Sequence, residues 1–321
     1  MQYISLGRTG LKVSRLCLGT MNFGASTDET TSFAILNHAI AGGINFLDTS
    51  NIYSNWVSGH VGGESEIVLG KWLKKQNRRD IIIATKVRGR MWDGANGEGL
   101  SRHHIIHAVE DSLKRLQTDY IDLYQTHWYD ESTPMEETLS AMDSLVNAGK
   151  VRYIGASNHP AWMLMKSYWL SDIHRLVRYE SLQPHYSLFN RSEYERELEA
   201  VCADQTVAVI PYSPLAAGFA TGKYTRTNKT PDNSRADGGL IKRLINNEDA
   251  YNALDIMTKI ANSHDIPIAH VALGWLLAKP TITAPIVGAR TVDQLKNTIG
   301  AVDLQLNEAE INQLNEATKM F

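Results

Sequence analysis

Four ionisable side chains lie at or just beyond the ends of consecutive apolar segments. Asp48 and Tyr53 follow the short segment 44–47, and Lys86 and His127 each end a later one. If these segments are parallel strands of one barrel, their carboxyl ends meet at one face, where the following loops converge. The four side chains would then share one pocket.

Together these residue types suit acid–base chemistry. A lysine beside a phenol favours the phenolate and lowers the phenol pKa from about 10 towards neutrality. A carboxylate paired with that lysine would hold it charged, and a histidine opposite could hydrogen-bond a carbonyl oxygen. Tyr53 could then give a proton to a carbonyl oxygen or remove one from an alcohol. Because no side chain is a hydride source, a bound cofactor would have to supply the hydride.

Each residue also has a simpler interpretation when it is taken alone. An aspartate at a strand end, such as Asp48, more often caps a turn than catalyses. Lys86 alone would be a lysine on the barrel rim, and His127 alone a hydrogen-bonded core histidine. Their joint occurrence at successive strand ends favours the catalytic interpretation.

Strands and helices alternate along the chain. The apolar patterns predict strands at 3–6, 12–14, 16–20, 44–47, 80–86, 121–127, 151–155, 179–183, 207–212 and 283–287. They predict helices at 31–41, 64–73, 101–116, 134–148, 161–170, 193–202, 267–278, 291–299 and 307–317, with Ser101 as a cap. About eight strand–helix units predict an α/β protein, a (β/α)8 TIM barrel with an N-terminal β-hairpin and extra C-terminal helices. With no linker between halves, we expect one domain over residues 1–321.

Two segments are too long for plain connections. Residues 87–100 and 213–248 both follow strands on the presumed catalytic face. Long loops in compact domains are usually functional or mobile. We interpret both as lids over a substrate or cofactor.

The composition limits the class of protein. The 321 residues are 43% apolar and 21% charged, which is ordinary for a globular protein. The mixed charges sum to −3, which argues against a broad polyanion-binding surface. We therefore expect a small-molecule substrate and neither a nucleic acid nor a membrane as partner. Without a signal pattern or an apolar run approaching about 18 residues, a cytoplasmic location is expected.

Neither the cysteines nor a histidine cluster predicts a metal site. Cys17 and Cys202 have no metal-ligand spacing, and a disulfide framework is not expected. Cys17 lies in an apolar strand and is interpreted as core. His103, His104 and His107 could place two imidazoles on one helical face, but no carboxylate or fourth ligand accompanies them.

Six motifs in family order resemble the aldo-keto reductase superfamily, especially its bacterial and potassium-channel-β-like branches. They are 45–53 (NFLDTSNIY), 84–86 (ATK), 119–127 (DYIDLYQTH), 149–158 (GKVRYIGASN), 212–218 (YSPLAAG) and 288–290 (GAR). The likeness runs from Ile4 to about Thr318, which is nearly the whole chain. No G-x-G-x-x-G follows a strand, so the Rossmann alternative is rejected.

The resemblance implies an NADP(H)-dependent barrel oxidoreductase that reversibly reduces aldehydes, ketones, or sugar-like or dicarbonyl compounds. Tyr53 would be the general acid/base, Lys86 and Asp48 would tune it, and His127 would orient the carbonyl. The implied nicotinamide contacts are Ser157, Asn158, Gln183 and the stacking Tyr212, and the implied pyrophosphate contacts are Ser213, Leu215, Gly218 and Lys223. Arg290 and Gln294 would bind the adenosine 2′-phosphate, with further cofactor contacts from Gly19, Thr20, Met21, Asp48, Gly288 and Asn297. The loops after the last two strands of such barrels commonly bind phosphate.

The sequence departs from the family pattern at three places. Asn297-Thr298 replaces the usual Glu-Asn near the adenine, which removes a carboxylate, and Val287 replaces a proline. Extra residues follow the tyrosine at 56–60. Trp56, Trp92 and Trp128 are candidates to line the substrate pocket, with plain core or rim packing as the competing interpretation for Trp92 and Trp128.

Two other functions remain open. One is a cofactor-binding regulatory or sensor subunit with little turnover, as occurs in the channel-associated branch. The other is a barrel hydrolase or lyase that uses Asp48 and His127 without nicotinamide, which would leave the Tyr212 and Arg290 segments unexplained. Whether the chain is a monomer or a homo-oligomer is also open.

Overall fold

Parallel strands dominate the computed structural model, which describes residues 1–232, 234 and 238–321. A hairpin of β1 (Tyr3–Ser5) and β2 (Lys12–Ser14) precedes them. Within the described residues, an eight-stranded parallel sheet follows. Its strands are β3 (Cys17–Gly19), β4 (Phe46–Asp48), β5 (Ile82–Val87), β6 (Ile121–Thr126), β7 (Val151–Ser157), β8 (Tyr179–Gln183), β9 (Ala208–Val209) and β10 (Ile286–Gly288).

The sheet closes into a barrel. Its strand order is β10-β3-β4-β5-β6-β7-β8-β9, so β9 and β10 are the two ends that must meet. Val209 forms a bridge with Ile282 and accepts a hydrogen bond from the amide of Thr283 at 2.8 Å. The amide of Ile286 donates to the carbonyl of Pro211 at 2.9 Å. Because these bonds join the two ends, the predicted (β/α)8 barrel is confirmed.

Helices surround the barrel and alternate with its strands. They are α1 (Glu29–Ala41), α2 (Glu64–Leu73), α3 (Arg102–Leu116), α4 (Met135–Asn147), α5 (Ala161–His174), α6 (Glu199–Asp204), α7 (Gly239–Leu244), α8 (Glu248–His264), α9 (Ile268–Ala278), α10 (Val292–Ile299) and α11 (Glu308–Thr318). The side chain of Ser101 caps α3 by accepting from the amide of His104, as predicted. The side chain of Asn247 caps α8 in the same way.

Some boundaries differ from those predicted. The helix expected at 193–202 begins with a π-helical segment, Tyr194–Leu198, and continues as α6. The strand expected at 207–212 is regular only at Ala208–Val209, because its later residues pair through single bridges and bonds. Helix α8 was not predicted. Of the predicted lid at 213–248, positions 233 and 235–237 lie outside the described residues.

The barrel interior is filled by its own small apolar cluster. Cys17, Phe46 and Leu123 point inward from different strands and are fully buried. Leu6 and Val13 of the N-terminal hairpin belong to the same cluster. The hairpin therefore closes the amino-terminal end of the barrel, and the carboxyl end is left to carry the polar site. A larger cluster packs between the strands and the helices.

Two tryptophans of α5 face solvent. The rings of Trp162 and Trp169 are 63% and 60% exposed. They share one helical face with Met165 and Ile173, and that face points to solvent.

Among the described residues, no helix is long and apolar enough to cross a membrane.

Candidate active site

The carboxyl ends of three neighbouring strands bring the four predicted side chains together. Asp48 is the last residue of β4, Lys86 lies near the end of β5, and His127 directly follows β6. The register aligns Lys86 with Gln125, two residues before His127. Tyr53 lies in the turn after β4. The first backbone amides of that turn donate hydrogen bonds to carbonyls near the end of β5.

Lys86 is the centre of the hydrogen-bond network. Its side chain is completely buried, and its ammonium donates to the Oδ1 of Asp48 at 2.5 Å. The same nitrogen donates to the carbonyl of Thr49 and to the hydroxyl of Tyr53, both at 2.9 Å. Burial alone would lower the pKa of Lys86, but the contacts with Asp48 and Tyr53 outweigh burial and raise that pKa. The lysine is therefore held as a cation.

Asp48 is held by neutral donors on its other oxygen. The side-chain amide of Gln183 donates to Oδ2 at 2.8 Å, and that of Gln125 donates to the same atom at 3.3 Å. The carboxylate is 2% exposed. A charge buried this deeply is stable only with such partners. Asp48 is thus the anion that keeps Lys86 in place.

The phenol of Tyr53 differs from the sequence-based expectation. Burial raises the pKa of Tyr53 more than the nearby charge of Lys86 lowers it, so the net shift is upward. The predicted shift towards neutrality is wrong for the protein alone. The reason is desolvation, which penalises the phenolate and which residue types in a sequence do not reveal. At neutral pH the phenol carries its proton and can act as an acid.

His127 faces the phenol as a neutral imidazole. Its ring centre lies 6.0 Å from that of Tyr53, with the planes at 77°. Burial, together with the positive charges of Lys86 and Arg88, holds the pKa of His127 well below its usual range. Its Nδ1 lies 3.2 Å from the hydroxyl of Ser50, which already accepts from a backbone amide. If the serine donates to Nδ1, Nε2 is left to carry the proton of the neutral ring.

The three candidate substrate-pocket tryptophans lie in different surroundings. Trp56 contacts the Tyr53 ring edge-on at 6.3 Å, and Trp128 stacks on His127 at 4.0 Å. Both are substantially exposed at the mouth. Trp92 instead packs on His104 of α3 at 4.7 Å. Geometry therefore places only Trp56 and Trp128 beside the four ionisable residues.

The predicted nicotinamide residues form a fixed aromatic platform. The ring of Tyr212 lies flat on His185, with centres 5.0 Å apart and planes at 9°. The hydroxyl of Tyr212 donates to the Oδ1 of Asn158 at 3.0 Å, and the Asn158 amide nitrogen donates to the carbonyl of His127 at 3.0 Å. Ser157 donates to the carbonyl of Gln183 at 2.9 Å. A flat ring held at the mouth in this way fits a stacked nicotinamide.

The loop after β9 has the backbone shape of an anion cradle. Ser213 and Ala217 have φ angles of 56° and 54°, and Gly218 has 99°. Successive left-handed and turn conformations point backbone N–H groups into a concavity. A Cβ at Gly218 would lie 3.0 Å from the Cε of Lys223, so the lysine stem passes directly over this glycine. Leu215 packs against the apolar core and anchors the loop. These features fit a pyrophosphate.

The predicted adenosine-binding residues lie at the start of α10. Gln294 accepts from the amide of Arg290 at 2.8 Å through its side-chain oxygen. Thr291 caps the helix by accepting from the amide of Gln294. A helix N-terminus beside a guanidinium favours a phosphate. Asn297 lies on an exposed part of the same helix.

The remaining predicted cofactor residues surround the junction of β3 and β10. Gly288 pairs with Gly19 in the parallel register. A Cβ at Gly19 would meet the side chain of Ile286 at 2.7 Å, so the glycine is required for this contact. The hydroxyl of Thr20 donates to the carbonyl of Asp48 at 3.0 Å. Met21 follows at the rim and is partly exposed.

Three residues of the site were not predicted from the sequence. They are Ser50, Gln125 and Arg88, which contact or face His127 and Asp48. Gln125 and Arg88 each lie two positions from a predicted residue on the same strand or at its end. That period-two spacing is the signal that could have identified both.

Among the described residues, no group of three or more His, Cys, Asp or Glu could hold a metal ion.

Comparisons with known proteins agree with this geometry. The model of the "Aldo/keto reductase family" matches residues 15–319. The oxidoreductase YrpG of Bacillus subtilis is 42% identical over 98% of this chain and 95% of its own. Versiconal hemiacetal acetate reductase of Aspergillus parasiticus is 34% identical over 98% and 96% of the two chains. A probable voltage-gated potassium channel subunit beta of Arabidopsis thaliana is 33% identical over 95% and 92%. The chain therefore belongs to the aldo/keto reductase family, which generally uses nicotinamide cofactors, and its relatives named as an oxidoreductase and a reductase support an oxidoreductase.

Proposed function

We propose that this protein is an NADPH-dependent reductase of aldehydes and ketones, sugar-like or dicarbonyl compounds included, and that the reaction is reversible. The observation that carries the proposal is the buried chain of contacts from Asp48 through Lys86 to Tyr53, which ends beside His127. Tyr53 would be the proton donor and His127 the hydrogen-bond donor to one carbonyl oxygen between them. Carbonyl reduction requires both.

Tyr53 would give its proton to the carbonyl oxygen as that oxygen becomes negative. Its raised pKa keeps the phenol protonated at neutral pH, so the proton is available for transfer. As the phenolate forms, the ammonium of Lys86 at 2.9 Å stabilises the new charge. Asp48 keeps that ammonium in position through its own contact with Lys86. In the reverse direction the same phenolate would accept a proton from an alcohol.

His127 would orient the carbonyl. A neutral imidazole with its proton on Nε2 donates one directed hydrogen bond and adds no positive charge. Its low pKa prevents it from competing with Tyr53 as the acid. The stack with Trp128 and the contact with Ser50 fix the ring plane.

The chain's residues fit a nicotinamide dinucleotide, which would supply the hydride that no side chain can provide. Tyr212 offers a flat ring, and Asn158 holds that ring in place. Both amide hydrogens of Gln183 are directed at Asp48 and Gln125, so its oxygen is the atom offered to the carboxamide. Arg290 at the start of α10 supports a preference for the 2′-phosphate of NADPH.

The test is the loss of reduced-nicotinamide absorbance with NADPH, and then with NADH, against a panel of aldehydes, ketones and dicarbonyls. Tyr53→Phe is the matched variant, because it removes only the hydroxyl. We expect turnover with NADPH and a loss of about 10²-fold or more in kcat for Tyr53→Phe.

Three other outcomes would change the assignment. Tight NADPH binding without turnover of any carbonyl would favour a cofactor-sensing regulatory subunit. Full activity in Tyr53→Phe would show that the phenol is not the acid. Absence of nucleotide binding would contradict the proposed cofactor.

A further inference from the structure

Arg88 lies at the mouth of the barrel beside His127. Val87 pairs with Thr126 in the register of β5 and β6, so the next residues along, Arg88 and His127, are cross-strand neighbours. Side chains two apart on a strand point to the same face. Arg88 directly follows β5, where that alternation ends, and its positive charge acts on the His127 imidazole, which places the two side chains close together.

The backbone at Arg88 is held in an unfavourable conformation. Its φ angle is 143°, a region that side-chain-bearing residues rarely adopt. The carbonyl of Arg88 accepts from the amide of Gly99 at 2.9 Å, which fixes the loop. A Cβ at Gly89 would lie 2.2 Å from the Cδ1 of Ile52, so the loop is pressed against the turn that carries Tyr53. The surrounding structure therefore holds Arg88 close to the reacting groups.

The guanidinium of Arg88 has no carboxylate to balance it. Within the described part of the chain, no acidic side chain forms an ion pair with it, and its Nε is buried without a hydrogen-bond partner. Other partly buried arginines differ, since Arg78 and Arg115 each pair with a buried carboxylate. A half-buried cation without a partner is costly and favours binding an anion. The charge of Arg88 also reaches His127, where it helps to depress the imidazole pKa.

The bound cofactor would not supply that anion. In the closed sheet, the cradle after β9 lies four strands from β5, and the start of α10, after β10, lies three strands from it. They are therefore on the opposite side of the mouth from Arg88. An anionic group on the molecule that contacts His127 would lie within reach of Arg88.

We propose that Arg88 is a specificity-determining residue that binds an anionic group, a carboxylate or a phosphate, on the carbonyl substrate. The proposal rests on the function proposed above and narrows its substrate class to negatively charged aldehydes and ketones. The guanidinium fork pairs with two oxygens of such a group, while His127 and Tyr53 contact the carbonyl oxygen.

Matched acids and esters test the proposal. The pairs are 4-carboxybenzaldehyde with methyl 4-formylbenzoate, and phenylglyoxylate with its methyl ester, each assayed with NADPH. We expect the acid to be preferred in kcat/KM, and Arg88→Met to reduce the acid-to-ester ratio roughly 10-fold to 100-fold, the range of one lost charge-assisted pair. Arg88→Lys should recover part of that ratio. Phosphorylated carbonyls such as glyceraldehyde 3-phosphate, compared with glyceraldehyde, distinguish phosphate from carboxylate.

Arg90→Met is the matched control. Arg90 lies on the same loop but is exposed and already paired with Glu98. Its replacement should leave the acid-to-ester ratio unchanged. An equal ratio in the wild-type protein and Arg88→Met would overturn the proposal.

A binding measurement separates this proposal from the proposed function. Benzoate and benzamide are titrated calorimetrically into the protein, with and without NADP⁺. Stronger binding of benzoate that is lost in Arg88→Met supports the anion site even if no carbonyl is reduced. Benzoate bound equally by both proteins, or by neither, contradicts the anion site even if neutral carbonyls are reduced.

Discussion

Removing both partners of the buried Asp48–Lys86 pair should cost much less than the sum of the two single removals. Lys86→Met keeps the length of the side chain but deletes an ammonium that contacts three oxygens. Asp48 would then keep only its two glutamine amide donors. Breaking a fully buried pair in this way costs about 3–5 kcal/mol. Because two donors remain, we expect a loss of about 3 kcal/mol in the free energy of unfolding.

Asp48→Asn removes the charge from the other partner. Lys86 would then be buried with neutral acceptors alone, which are the amide oxygen introduced at position 48, the Thr49 carbonyl and the Tyr53 hydroxyl. We again expect a cost of about 3 kcal/mol. The double variant contains no buried charge at this position and should cost about 3–4 kcal/mol. The coupling free energy of the cycle is then about 2–3 kcal/mol.

The assay is urea unfolding of the four proteins at pH 7, followed by circular dichroism and by tryptophan fluorescence. Coincident transitions would justify the free energies. The reasoning is refuted if the losses in unfolding free energy of the two single variants sum to that of the double variant within about 0.5 kcal/mol. Such additivity would mean that the two charges do not stabilise each other.

The pH dependence of Asp48→Asn gives a second readout. Burial lowers the Lys86 pKa, and in this variant Asp48 no longer raises it, so the folded pKa falls below the unfolded value of about 10.4. Between those two values the unfolded chain binds more protons, and stability rises with pH. In the wild-type protein the Lys86 pKa is raised, so its contribution is lost only as pH rises above the unfolded value.

Three further predictions concern other parts of the molecule. Burial lowers the pKa of His159 to about 4, so the unfolded chain binds a proton below about pH 6.5 and the folded chain does not. Between pH 7.5 and pH 5, the free energy of unfolding measured in urea should fall by about 2 kcal/mol more in the wild-type protein than in His159→Phe. Equal losses in the two proteins would contradict this prediction. Gly70→Ala should destabilise by about 2–3 kcal/mol, because its Cβ would lie 2.1 Å from the carbonyl of Arg115. Gly10→Ala, with open space at Cβ, is the control and should change thermal stability little. Arg290→Met should raise the KM for NADPH about 10-fold or more and leave that for NADH unchanged, whereas equal effects on both would exclude a contact with the 2′-phosphate.

The barrel was predictable because its signals are local. Alternating apolar strands and capped helices recur along the chain, and Ser101 caps α3 as its position suggested. The strand at 207–212 was predicted, but its shortening to β9 and the π-helical turn after Glu193 were not, because barrel closure and packing override local propensity there. Helical spacing alone does not decide which face of α5 meets the core, and Trp162 lies on the exposed face.

The sequence by itself determined which residue types follow each strand, and parallel strands then required Asp48, Lys86 and His127 to lie at one end of the barrel. Only the tertiary structure decided their protonation. Burial raises the pKa of Tyr53 although the charge of Lys86 lowers it, and burial also keeps His127 neutral. Desolvation depends on everything that surrounds a group. The tertiary structure also chose the partners of Asp48, since Gln183 lies 135 residues away along the chain. Strand order and register bring such distant groups within hydrogen-bond distance, and neither is written in the local sequence.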